Sequence, residues 1–260
     1  QRVIINGQYS EWGRTQAGVP QGSVLGPLLF LLYIDDLTSA VNYSNIRLFA
    51  DDTCLFIKVE SRDAAADMLE SDLSGISSWS DRWLVTFGPE KTKSMIISNK
   101  QDRETNRPIF FKDVQIEDVQ SHTYLGLIFT SQLSWSKHID SIEQKAQTKL
   151  NMMQPLKFKL DHCSLETIFT SFVMPTMFYG IEVWGGFYQT HLNKLEQVII
   201  DGMRIVTGAT ARSNVENLYQ ETAWNSFYSR RDIADLVMKQ TWPNLLIRYL
   251  FNAQCGYAKL

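Results

Sequence analysis

The chain has 260 residues, 44% of them hydrophobic and 12% aromatic, and a net charge of −3. It holds enough apolar material for one large or two modest cores, and its slight acidity excludes a simple basic nucleic-acid binder. The charge is uneven: residues 1–90 carry six basic and twelve acidic side chains, and the rest carry 19 and 16. An acidic first third fits a cation site and a later basic excess fits a phosphate backbone, although ordinary solvated faces give the same composition.

In chain order, residues 3–9 predict a hairpin that turns at Asn6-Gly7, the strongest short hairpin signal. Residues 17–27, AGVPQGSVLGP, hold three glycines and two prolines and predict a tightly bent loop with exposed backbone N–H groups. Gln21 puts both a donor and an acceptor inside it, and Ser23 is placed to cap the helix that follows. A glycine loop that opens a helix can receive an anionic or base group at close range. The apolar run 24–34 is 11 residues long, short of the roughly 20 that cross a bilayer, and predicts a buried helix. Asp35 and Asp36 continue it; neighbours on a helix point about 100° apart, so they do not converge on one ion.

Residues 46–59, IRLFADDTCLFIKV, predict a β-hairpin with Asp51 and Asp52 in its turn. Such a turn lifts two carboxylates out of a buried sheet on a rigid edge. Mg²⁺ takes oxygen ligands and typically binds through one or two carboxylates plus substrate phosphates. Paired acids are equally the ordinary solvated residues of a turn. Residues 61–83 predict a helix with a core stripe of Leu69, Leu73, Ile76, Trp79 and Trp83. Residues 84–87 predict a short strand, 88–92 a turn with Lys91 at its mouth, and 94–98 another strand. A lysine there is a solvated charge, a proton donor or a phosphate partner.

Residues 99–107 read as a polar loop, 109–117 as a hairpin around Lys112-Asp113, and 124–129 as one strand whose Gly126 permits close backbone approach. From Trp135 the chain turns helical. Ile139, Ile142, Ala146, Leu150 and Met153 mark one face, Lys137, Lys145 and Lys149 another, and Pro155 ends it. Helices over 164–173 and 192–206 follow, with Gly208 just past the second. The tail from 216 to 260 predicts two or three more. The change from short strands to helices near residue 130 predicts an α+β chain, divided as 1–130 and 131–260. Cys54, Cys163 and Cys255 are widely spaced and odd in number, which gives no zinc spacing and no disulfide partner. A reducing, intracellular setting away from membranes is the expectation.

Several of these segments together resemble a family. The loop Gly18-Val19-Pro20-Gln21-Gly22-Ser23-Val24-Leu25-Gly26-Pro27, followed by Phe49-Ala50-Asp51-Asp52, is similar to the reverse transcriptases of non-LTR retrotransposons, the LINE and jockey-like elements. Pro89-Glu90-Lys91-Thr92 resembles their lysine turn, Tyr124-Leu125-Gly126 their primer grip, and Leu133-Ser134-Trp135-Ser136-Lys137-His138-Ile139 the start of their thumb. Tyr179-Gly180, Val183-Trp184-Gly185 and Lys194-Leu195-Glu196 resemble the helical region after it.

The resemblance implies a polymerase palm-like antiparallel sheet backed by helices, then an all-helical thumb and C-terminal region. It also implies an RNA-directed DNA polymerase using Mg²⁺, with Mn²⁺ as the alternative. Asp51 and Asp52 match the metal-binding acids, and Lys91 a catalytic lysine that assists the leaving group. Pro20, Gln21 and Gly22 line the nucleotide pocket; Tyr124, Leu125 and Gly126 position the primer. Lys145 and Lys149 could hold phosphates of the template and primer on charge grounds. The implied partners are an RNA template, a DNA primer and deoxynucleoside triphosphates, in cytoplasm and nucleus. The family carries a further metal-binding aspartate before the glycine loop, but no Asp occurs in the seventeen residues before Gly18. Its fingers region has no counterpart, and Gly88 stands where the family usually has asparagine. A fragment of a longer chain that does not polymerise alone is therefore expected. The alternative is a decayed or co-opted remnant that binds nucleic acid or serves as an interaction domain.

Overall fold

A computed structural model describes residues 2–14, 17–19, 21–59, 61–98, 107–186, 189–241 and 256–259. Pro20, Cys255, the polar loop at 99–106 and the tail at 242–255 lie outside the described residues. The chain mixes helices with small sheets, and it divides into two compact units: residues 1–122 with 253–260, and residues 123–252.

The first unit opens with a hairpin of β1 (Ile4–Ile5) and β2 (Gln8–Tyr9). Asn6 and Gly7 both take positive φ in its turn, as the two-residue turn of right-twisted strands requires. A loop leads to α1 (Gly26–Ile34), which has Pro27 in its first turn and Leu25, rather than the expected Ser23, at its N-cap. Nor is α1 buried as expected. Leu28, Leu29, Leu31 and Leu32 are 43–68% exposed, and only Gly26 and Ile34 are buried. A helix that is apolar all round offers no preferred face to the core. Asp35 and Asp36 then open a 3₁₀ turn. Asp36 accepts a hydrogen bond from Trp79 Nε1 at 2.9 Å, so it ties this turn to the next helix.

The central hairpin pairs β3 (Asn45–Phe49) with β4 (Asp52–Ile57). Its core is completed by α2 (Arg62–Trp83), whose Leu69, Leu73, Ile76 and Trp79 are buried as their spacing predicts; Trp83, at the end of the stripe, is 38% exposed. Leu84 caps α2 in the left-handed region, φ +55, and Val85 N–H donates to the Ser80 carbonyl. This wrap-around ending occupies the backbone N–H of Val85, and residues 84–87 form no strand. Then come β5 (Lys93–Ile96), a hairpin of β6 (Phe110–Phe111) and β7 (Val114–Gln115) turning at Lys112-Asp113, and β8 (Glu117–Asp118).

Further on, β9 (Ser121–Tyr124) pairs with β10 (Leu127–Thr130), so the segment expected to be one strand is a hairpin. Next is α3 (Ser136–Met153), whose apolar face is buried as predicted, then α4 (His162–Ile168), a π-helical stretch over 169–173 and α5 (Met174–Phe178). The chain stays helical through Pro175, which sits in the first turn of α5, where a missing N–H costs little. Lys149 Nζ donates to Phe172 O at 2.8 Å and Thr176 Oγ1 at 2.6 Å, satisfying a carbonyl of the π stretch. The helices α6 (Ile181–Trp184), α7 (Gln189–Thr207), α8 (Val215–Thr222) and α9 (Phe227–Thr241) close a core around Phe169, Trp184, Leu195, Ile199 and Phe227. Gly202 on α7 makes room for the Phe169 ring: a Cβ there would stand 2.2 Å from it.

The last described strand, β11 (Gly256–Lys259), returns to the first unit and lies antiparallel between β4 and β5, in the sheet order β3-β4-β11-β5-β8. This part of the tail was expected to be helical. A strand can form there because both sheet neighbours supply backbone partners that no local pattern reveals.

What holds the hairpin in place is Asp72, a fully buried acid on α2. It accepts from the backbone N–H groups of Asn42, Tyr43 and Ser44 and from Ser44 Oγ at 2.7–3.2 Å, fixing the three residues before β3. Asp72→Ala strands those donors and is expected to cost about 3 kcal/mol in urea unfolding. The exposed neighbour change Ser71→Ala should stay within about 0.5 kcal/mol.

Candidate metal and nucleic-acid site

The acid pair stands where the β3–β4 register ends. Phe49 pairs with Asp52, which leaves Ala50 and Asp51 as the turn. Ala50 takes φ +50, a region costly for any residue with a Cβ, so the turn is tight and its acids are held close to the sheet. Asp51 is exposed and Asp52 half-buried as the first residue of β4. Beyond them Thr53, Cys54, Leu55 and Ile57 are buried and root the strand in the core.

Lys91 ends a 3₁₀ turn (Pro89–Lys91) just before β5. The Gly88 carbonyl organises this turn by accepting from Lys91 N at 3.0 Å, Thr92 N at 3.2 Å and Thr92 Oγ1 at 3.1 Å. The sheet register relates this turn to the acids. Lys259 of β11 pairs with Cys54 on one side and Lys93 on the other, so these three positions form one row across the sheet. Asp52 and Lys91 each precede that row by two residues. Both therefore leave the sheet at the same end, two strand spacings or about 10 Å apart.

Gln21 and Gly22 lie in the same unit, exposed in the loop before α1. Gly22 takes φ +77 with open space where a Cβ would be, so glycine serves the backbone conformation there rather than a close contact. Tyr124, Leu125 and Gly126 belong to the second unit. Leu125 (φ +47) and Gly126 (φ +79) make the two-residue turn between β9 and β10. Tyr179 closes over this turn. Its hydroxyl donates to the Leu125 carbonyl at 2.9 Å, and a Cβ on Gly126 would lie 3.1 Å from its ring. Two segments that the sequence offers separately, Tyr124-Leu125-Gly126 and Tyr179-Gly180, thus form one contact.

His138 packs between Trp135 and Trp184 and accepts the Ile128 N–H on Nδ1 at 3.3 Å. Nδ1 is thereby the unprotonated nitrogen of the neutral ring. Burial, with a smaller push from Lys145, lowers its pKa from 6.5 to about 4. Tyr179, His138 and Asp72 are not legible in the sequence as positioning groups; the nearest signal is that Asp72 interrupts the buried face three residues after Leu69.

As a donor set, the paired carboxylates at the tip suit a hard divalent cation. Among the described residues no group of three or more His, Cys, Asp or Glu side chains is arranged to hold a metal. Among the same residues, no helix is long and apolar enough to cross a membrane.

Residues 3–129 match the family described as reverse transcriptase (RNA-dependent DNA polymerase). The chain is 30% identical over 199 residues to the probable RNA-directed DNA polymerase from transposon X-element of Drosophila melanogaster, a match covering 74% of this chain and 22% of that protein. It is 30% identical over 217 residues to the RNA-directed DNA polymerase from mobile element jockey of the same fly, covering 80% and 24%. The jockey enzyme of Drosophila funebris is 28% identical with the same coverage. No solved structure matches significantly. The chain belongs to the reverse transcriptases of non-LTR retrotransposons, of the jockey-like kind. It spans about a quarter of the length of the curated relatives it matches.

Two outcomes check this geometry. Tyr179→Phe should cost about 1 kcal/mol by removing one hydrogen bond, and Gly126→Ala about 1–2 kcal/mol by placing a Cβ at positive φ, both read in denaturant melts. The His138 ring has a lower pKa folded than unfolded, so the unfolded chain takes up its proton first as pH falls. The stability it carries is complete above pH 6.5 and is lost as pH falls toward about 4. His138→Asn should flatten that stretch of the stability–pH curve; an unchanged slope contradicts the assignment.

Proposed function

We propose that this chain carries the metal-binding hairpin and the helical grip of an RNA-directed DNA polymerase. The observation that supports this most is the acid pair at the end of the β3–β4 register, at the same end of the sheet as Lys91, in a chain of the reverse transcriptase family. In this reading the first unit is a partial palm and the second a thumb with the C-terminal helices.

Asp51 and Asp52 hold Mg²⁺, or Mn²⁺ in its place, with Asp51 the more exposed ligand. The metal, when bound, supplies activation of a primer 3′-hydroxyl and charge neutralisation on a nucleoside triphosphate. Lys91 offers a positive charge and a proton toward the leaving pyrophosphate. Gln21 can donate and accept against the incoming nucleotide or template base, with Pro20 and Gly22 flanking it in sequence. The β9–β10 turn, with Tyr124, Leu125 and Gly126, positions the primer end. The partners are then an RNA template, a DNA primer and deoxynucleoside triphosphates, met in cytoplasm and nucleus.

A second reading, nucleic-acid binding without catalysis, is favoured by the metal-site geometry: among the described residues no third acid joins the pair. Fluorescence anisotropy with a labelled RNA–DNA primer-template separates the two. The polymerase reading expects salt-sensitive binding that Mg²⁺ plus the complementary deoxynucleotide tightens, with that gain lost in Asp51→Asn/Asp52→Asn. Binding that ignores metal and nucleotide supports the second reading, and no binding overturns both.

A further inference from the structure

The sheet of the first unit has a slot in its middle that a distant strand fills. β4 and β5 each run antiparallel to β11, so they run parallel to each other, with α2 as the connection between them. They stand two strand spacings apart, about 10 Å. This is a βαβ unit split by the width of one strand. Both walls of the slot have anchors besides the strand that fills it. β4 pairs with β3 over five residues and buries Thr53, Leu55 and Ile57. β5 pairs with β8, its Ser94 carbonyl accepts from Val119 N–H at 2.8 Å, and Ser94 and Met95 are buried. Across the frame, Leu69, Leu73 and Ile76 of α2 share a core with Leu55 and Ile57.

All of this frame lies within residues 45–119, whereas the filler is at 256–259. Contacts between near neighbours in sequence form ahead of those that must close a long loop. The walls therefore assemble while the slot is still open. Each wall then presents a row of unpaired N–H and C=O groups, the surface that a sheet edge offers to any extended chain. β11 meets both rows by backbone pairing over four residues a side: Gly256 faces Ile57 and Ile96, and Lys259 faces Cys54 and Lys93. Such a ladder depends on the register and not on which molecule supplies the strand. The same segment of another copy makes the same bonds.

We propose that the slot between β4 and β5 is a docking site for segment 256–259 of a second copy of this chain, which takes the place of the resident β11. The exchange is reciprocal. Each copy gives one strand and accepts one, so a two-fold dimer closes with both slots filled. Filling from the same chain is favoured in dilute solution by the effective concentration of a tethered segment, and exchange is favoured as the chain is concentrated. A strand of either origin keeps Asp52 and Lys91 on opposite sides of the slot, so the acid pair does not depend on which copy supplies it.

The test refolds the 260-residue chain from urea at low and at high concentration and reads its mass by light scattering after gel filtration. Monomer is expected at low concentration and dimer at high. A peptide with the sequence of residues 253–260, carrying Cys255→Ser and added in excess during refolding, should be captured by the chain and lower the dimer fraction about tenfold. The same peptide with Tyr257→Pro should do neither, because a central strand has no place for a residue that cannot donate to the ladder. A nitroxide at the N-terminus of the captured peptide should broaden the amides of Ile57 and Ile96 in the ¹⁵N spectrum, the partners of Gly256. Monomer at every concentration overturns the proposal. So do dimers that the peptide leaves intact, equal capture of the proline peptide, and broadening centred away from β4 and β5.

Discussion

The carboxylate of Asp72 decides where the acid pair stands. From within α2 it takes up three successive backbone N–H groups, Asn42 to Ser44, so the chain enters β3 at one position only. Gly75, one turn later on the same helix, lets the α2 backbone come against Ala40; a Cβ there would lie 2.3 Å from the Ala40 carbonyl oxygen. With the root pinned twice, the strand register follows. A slip of one residue would turn Leu55 and Ile57 out of the core, so packing reinforces what the carboxylate sets. The tip inherits this rigidity. Two neighbouring charges can be kept side by side at a hairpin tip only if the strands beneath them do not shift, and here a buried helix residue far from the tip supplies that constraint.

The second unit solves a similar problem with a different group. Its hairpin turn is held from above by Tyr179, 54 residues away in sequence from the Leu125 carbonyl it serves. Glycine appears on both sides of the contact for physical reasons: Gly126 is at positive φ under the ring, and Gly180, at φ +63, would place a Cβ 3.0 Å from Leu127. The lysines of α3 divide by environment rather than by pattern. Lys149 completes the hydrogen bonding of a π-helical stretch, where one carbonyl lacks its usual partner, and Lys145 is exposed. A charge argument from sequence treats them alike; their partners do not.

Much of the first unit was legible because turn chemistry is local. Asn6-Gly7, Lys112-Asp113 and the paired acids after Phe49 each announce a hairpin, and the stripe of α2 announces a core helix. The helical face of α3 was legible for the same reason. The misreadings share a different cause. Residues 84–87 look like a strand by propensity, but a helix ending without glycine, at Leu84, turns the segment's first two residues back onto α2. Residues 124–129 look like one strand because a leucine stands at φ +47 where the eye expects Asn or Gly. α1 has no periodicity from which burial could be read, and β11 forms through partners nearly 200 residues upstream. Asp72 was invisible as an anchor because an acid in a helix reads as surface until its three donors are seen. The acid pair and Lys91 were nominated from sequence and resemblance, whereas their common end of the sheet follows only from the register.

The most direct measurement is paramagnetic broadening by Mn²⁺ in the ¹⁵N spectrum of the chain, at sub-stoichiometric metal. If the hairpin tip is a metal site, the amides of Ala50, Asp51, Asp52 and Thr53 lose intensity first, and Asp51→Asn/Asp52→Asn abolishes that loss. Broadening centred on Asp35 and Asp36, or spread evenly over the acidic surface and unchanged in the double variant, contradicts it.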